Sequence, residues 1–110
     1  MIDLIQKRDS KIAQLEEATR SLKPNGFALD KAEQEYKEAL SKKALELRDQ
    51  GMAGTLMDKV IYGLPSISIL RFKRDCAKTV YEANQEAINT MKLQIKIYEA
   101  DIAREWGSTK

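Results

Sequence analysis

Paired carboxylates on one helical face are the first residues that could do chemistry. Asp30 with Glu33, and Glu35 with Glu38, stand three residues apart. Such pairs serve general acid–base catalysis when a pocket gives the two groups unequal surroundings. Here they are interleaved with lysines, as in Glu38 and Lys42, the spacing of solvated ion pairs on a helix surface. Histidine is absent. That removes the commonest general base and metal ligand, and with them the Glu-x-x-His pairs of di-metal bundles. The single cysteine, Cys76, has no histidine to activate it and reads as a small core residue. Gly51-Met52-Ala53-Gly54 is a turn without the Gly-Lys-Ser/Thr that makes a phosphate loop. No catalytic, metal or cofactor site is expected, and the chain reads as a non-enzyme.

Binding chemistry has one candidate. Arg71, Arg74, Lys78, Gln85, Asn89, Lys92 and Lys96 fall within a sector of about 60° on a helix turning about 100° per residue. Asp75 and Glu82 border this sector, which runs for nearly ~40 Å at helical rise. It is either a track for phosphates or an acidic partner, or a solvated face on which Glu46 and Asp49 pair with Arg71 and Arg74. Aromatic residues, which would favour single-stranded nucleic acid, are missing from it. Trp106, opposite Ile5 and Ile12, reads as a plug for the open end of a bundle.

The element that positions this face is Ser66 to Trp106, which lacks interior glycine and proline. It reads as one helix of about eleven turns, with Ser66 as N-cap and Gly107 closing it. Ile88, Met91, Ile95, Tyr98 and Ile102 alternate spacings of three and four, the mark of a buried seam. The first arm, about residues 1–50, carries Ile5, Ile12, Leu15, Leu22, Leu29, Tyr36, Leu40 and Leu47 in a compatible register. Within it Lys23-Pro24-Asn25-Gly26 predicts a kink or short break near residues 23–27, because proline lacks a donor and glycine favours a cap. Gly51 ends this arm. In the turn, residues 51–65, Thr55-Leu56-Met57-Asp58 resembles a capping box for a short helix ended by Gly63.

These elements predict an all-α fold in a single domain spanning residues 1–110: a long, coiled-coil-like antiparallel helical hairpin with a short helix in the turn. Pairing residues whose numbers sum to about 117 sets Leu15 by Ile102, Leu22 by Ile95 and Leu29 by Ile88. It also sets Tyr36 by Tyr81, Leu40 by Ala77 and Leu47 by Leu70, with Glu33 against Asn84 and Thr19 against Tyr98 as polar layers. A second apolar stripe, Phe72, Cys76, Val80, Ala83 and Ala87, continues loosely through Leu93, Ile97 and Ala100. A helix this apolar wants more than one neighbour. The stripe is expected to make a homodimer, hence a four-helix bundle, or to dock a different protein.

The net charge of +2 is too mild to imply nucleic acid without local clustering. No apolar run approaches membrane-spanning length and no signal-peptide order begins the chain. One cysteine fits a reducing compartment. The expectation is a soluble protein of the cytoplasm, with no membrane contact.

Leu70-Arg71-Phe72-Lys73-Arg74-Asp75-Cys76-Ala77, Tyr81, Gln85-Glu86-Ala87-Ile88-Asn89 and Arg104-Glu105-Trp106-Gly107 resemble the C-terminal half of short helical proteins from phages and prophages of Gram-positive bacteria. Ala39-Leu40-Ser41-Lys42-Lys43 and Leu47-Arg48 are similar to their middle, so the resemblance covers about residues 32 to 107. Pro24-Asn25 departs from it, since that region of the family reads as continuous helix. The resemblance implies early phage genes near recombination and single-strand-binding functions, no assigned activity, and the cytoplasm of a bacterial host. On that footing the chain is expected to be an interaction module that binds a DNA-metabolism protein or nucleic acid. The alternative is a small inhibitor of a host defence nuclease, as anti-CRISPR proteins are.

Overall fold

The computed structural model describes residues 1–108. Helix α1 spans Ile2–Asp49, α2 spans Gly54–Val60 and is followed by a 3-10 turn at Ile61–Gly63, and α3 spans Pro65–Ser108. The fold is all-α. Two long helices pack antiparallel, with the short helix in the turn between them. Contacts gather into two compact units, Asn25–Tyr81 and a second made of Met1–Pro24 with the chain from Glu82 onward.

The Asn25–Tyr81 unit holds the turn. Gly51 ends α1 with φ +84°, a left-handed conformation natural only to glycine. Its N–H reaches the Arg48 carbonyl (2.9 Å), and the Met52 N–H reaches that of Leu47 (3.0 Å). These two bonds make the Schellman motif, which satisfies carbonyls the helix end would orphan. The start of α2 differs from the capping-box expectation. Ala53, extended, stands at the N-cap without a side-chain cap, and Thr55 already lies inside the helix. Similarly, Leu64 rather than Ser66 precedes α3; its carbonyl accepts the N–H groups of Ile67 and Ser68. Pro65 takes the first helical position, where its missing donor is harmless. At the other end α3 runs one residue past Gly107.

The turn is held by a small core. Tyr36, Leu47, Ile61 and Ile67 are buried together, and Leu40, Met57, Leu64 and Leu70 pack around them. Ile67 is 0% exposed. In the other unit Ile88 is buried, while Leu15, Leu22, Met91, Ile95, Tyr98 and Ile102 are half-buried. There the Asn84 side chain donates to the Ala18 carbonyl (2.9 Å). The terminal amino group of Met1 pairs with Glu105 (2.8 Å).

Two expectations are corrected. No break occurs at residues 23–27: α1 is one 48-residue helix with Pro24 inside it. The hairpin register also differs. Tyr36 does not meet Tyr81 but lies under the Arg74 guanidinium, 4.8 Å from the ring centroid. The contacts depart from the expected register by seven residues along α3 at Tyr36 (81 − 74), by ten at Gly26 (91 − 81) and by fifteen at Ala18 (99 − 84). Tyr81 instead lies where a Cβ on Gly26 would be 3.5 Å from its ring. Asn84 likewise reads Ala18 rather than facing Glu33. A repeating apolar seam offers apolar against apolar in more than one alignment. The choice falls to the turn, where Ile61 and Ile67 close on Tyr36 and Leu47.

The observed register has a direct check. A double-mutant cycle of Tyr36→Leu with Arg74→Met should show coupling of about 0.5–1 kcal/mol, the usual range of a cation–π contact near a surface. A Tyr36/Tyr81 cycle should show none. The opposite pattern would restore the other alignment.

Candidate functional site

Of the seven residues of the expected binding face, Arg71, Arg74 and Lys78 lie in the Asn25–Tyr81 unit and Gln85, Asn89, Lys92 and Lys96 in the other. Arg74 belongs to the seam: half-buried, it lies over Tyr36 and pairs with Asp75 at 2.9 Å. Arg71 stays exposed and lies 5.6 Å from the centroid of the Tyr62 ring. Neither pairs with Glu46, which Lys43 holds at 3.0 Å. In this unit Lys78 is exposed.

Further along α3, Gln85, Asn89 and Lys92 line a shallow groove with Leu22 and Ile88. Glu82 and Glu86 line the same groove. An anion laid there would meet two carboxylates, which opposes a phosphate track. Lys96 is exposed. The spacing 70, 74, 77, 81, 84, 88, alternating four and three, was the signal that Arg74 lies in the seam.

Of the carboxylate pairs, Asp30, Glu35 and Glu38 are exposed and Glu33 is half-buried. Glu33 pairs with Lys37 at 3.7 Å, and Glu38 accepts from Gln34 at 3.1 Å. These i,i+4 contacts are worth a few tenths of a kcal/mol, about 0.2–0.5 each. Among the described residues no group of three His, Cys, Asp or Glu converges to hold a metal ion. Trp106 is 63% exposed, so it does not plug an end of this chain's hairpin.

The second stripe is open. Phe72 is 69% exposed and Val80 53%, with Cys76 and Ala83 exposed and Ala87 half-buried. Cys76 is therefore not the core residue its neighbours suggested; it lies on the outer side of α3. Sequence reasoning missed Ile69, 55% exposed on the same side one turn before Phe72. Phe72, Cys76 and Val80 line a shallow depression with Asp75 and Thr79. This is a nearly all-apolar strip on a helix whose other face already has its neighbour. Leu93 and Ile97 make a second exposed pair in the other unit.

Among the described residues no helix is long and apolar enough to cross a membrane. No protein-family model, curated protein or solved structure matches the chain.

Proposed function

We propose that this chain acts without catalysis, as an interaction module that docks a protein along the outer stripe of α3. The observation that supports this is the row of Ile69, Phe72, Cys76 and Val80, exposed together on one side of α3. Apolar side chains scattered singly on a surface need no explanation, but a contiguous patch marks a binding face. The resemblance to short phage proteins makes a DNA-metabolism protein the first partner class to examine, and a host defence nuclease the second.

The experiment compares partners captured by the wild-type chain and by a Phe72→Glu, Val80→Glu variant in host cells. Both substitutions put charge on exposed positions, so helix content should be retained, while a desolvated carboxylate would prevent docking. A partner held by the wild type should be lost from the variant. The same partner held equally by both would end the reading.

Nucleic acid along the basic face is less well supported, because Arg74 is committed to Tyr36. Apart from Arg74, and from Arg71, which is drawn towards Tyr62, the cations of that face are the exposed Lys78, Lys92 and Lys96. Any DNA affinity at low salt should then fall by no more than about three log units per tenfold rise in salt, at ~0.9 per contact. A steeper slope in a filter-binding titration would mean that more cations reach the backbone than this arrangement offers.

A further inference from the structure

We propose that the occupant of this stripe is a second copy of the chain, packed antiparallel, α3 against α3, with Cys76 on the two-fold axis. The proposal rests on the reading of the stripe as a docking surface and names what docks there. Its basis is the spacing. Ile69, Phe72, Cys76, Val80 and Ala83 are separated by three, four, four and three residues, which reads the same from either end. A two-fold axis through Cys76 therefore lays the stripe on itself. Phe72 of one copy comes level with Val80 of the other, and Ile69 with Ala83, a large side chain against a smaller one in each layer.

The fit extends to the sideways placement. A step of four residues overshoots one helical turn by about 40°, so Phe72 leans to one side of the stripe's midline and Val80 to the other. A two-fold axis normal to the plane of the paired helices keeps each residue on its own side. The two side chains at one level then pass beside each other instead of colliding, as ridges do in grooves. Slipping the alignment by one turn loses this. It sets Val80 against Ser68 and Ile69 against Thr79, or Phe72 against Asn84 and Ala83 against Lys73. Each slip leaves one of Phe72 and Val80 against Cys76 and the other against a polar residue, so the unslipped register matches both best, and isologous contact of a patch with itself is the commonest symmetry of homo-oligomers.

The area fits a reversible dimer. Ile69, Phe72 and Val80, at 55, 69 and 53% exposed, leave roughly 300 Å² per copy and about 600 Å² for two copies to cover, taking large side chains at ~150–200 Å² each. Cys76, Ala83, Thr79 and the stem of Lys73 bring the total towards the ~1,000 Å² at which specific interfaces begin. A dissociation constant in the micromolar range is expected.

Sedimentation of the full chain under reducing conditions should show a monomer–dimer equilibrium between about 1 and 200 µM. The Phe72→Glu, Val80→Glu variant should stay monomeric with unchanged helical circular dichroism. Diamide, which takes up the two protons and two electrons released as two thiols join, then reports the register. The wild type should form a disulfide-linked dimer through Cys76. A Cys76→Ser, Ala83→Cys variant should not, because its two cysteines lie fourteen residues apart along antiparallel helices, about 21 Å. A wild-type monomer at about 200 µM, or ready coupling through residue 83, overturns the proposal. If that monomer still captures another protein through Phe72 and Val80, the docking reading stands and only the second copy is lost. If the glutamates change neither self-association nor capture, both fall together.

Discussion

Replacing Ile67 by alanine is expected to lower the folding stability by about 3–4 kcal/mol, within the range for truncating a fully enclosed isoleucine. Ile67 is 0% exposed and sits with Tyr36, Leu47 and Ile61, the other members of the small cluster at the turn. Its position in the first turn of α3 makes it a joint between three elements: α1 through Tyr36 and Leu47, the 3-10 turn through Ile61, and α3 itself. Among the described residues only Tyr36, Leu47, Ile61, Ile67 and Ile88 are buried hydrophobics, so little packing elsewhere compensates. A domain of this size has roughly 5–15 kcal/mol in total, and the loss would be a large share of it. Ile67→Val should cost about 1 kcal/mol, and Leu45→Ala, at a site 56% exposed, no more than about 0.5. Urea unfolding at low protein concentration measures all three as shifts of midpoint at constant slope. An Ile67→Ala midpoint close to wild type would mean that the turn cluster does not hold the hairpin together.

That cluster also explains which parts of the fold could be read in advance. The helices, their antiparallel order and the Gly51 stop follow from periodicity and one left-handed glycine, both local signals. The register does not, because a repeating apolar seam gives Leu22 more than one apolar residue of α3 to face. The structure puts Leu22 on the same groove as Ile88. The deciding contacts come from Ile61, a residue of the turn outside both seam patterns, and from Ile67, which extends the α3 seam one step before Leu70. The candidate sites were legible unevenly for a related reason. A helical wheel assigns Arg74 an angle but not a neighbour, and at the edge of the seam the Tyr36 ring takes it. The apolar stripe was legible because no second pattern competes for Phe72 and Val80. Its extension to Ile69 was missed, since that residue precedes the run that defines the stripe.

Pro24→Ala is expected to raise stability by about 2 kcal/mol. An interior proline costs a helix about 3 kcal/mol relative to alanine, through the lost N–H and the clash of its ring with the carbonyl four residues back. Alanine returns some of that gain by loosening the unfolded chain, about 0.4–1 kcal/mol. Pro24 lies inside the 48-residue α1 and is exposed, so removing Cγ and Cδ opens no cavity, and the restored N–H faces the Arg20 carbonyl, four residues back. Gly26→Ala should add a further ~1 kcal/mol of helix propensity. Its Cβ would meet the Tyr81 ring at 3.5 Å, an ordinary van der Waals contact. The two sites share one turn of helix, so their effects need not add and the double variant has to be measured directly. Thermal and urea unfolding of the single variants should both move towards higher stability, with more helix by circular dichroism at elevated temperature. An unchanged midpoint for Pro24→Ala would mean that the Arg20 carbonyl is already satisfied, most simply by water on this exposed face. The proline would then cost the folded chain little, which is how a 48-residue helix runs through Lys23-Pro24-Asn25-Gly26 without a break.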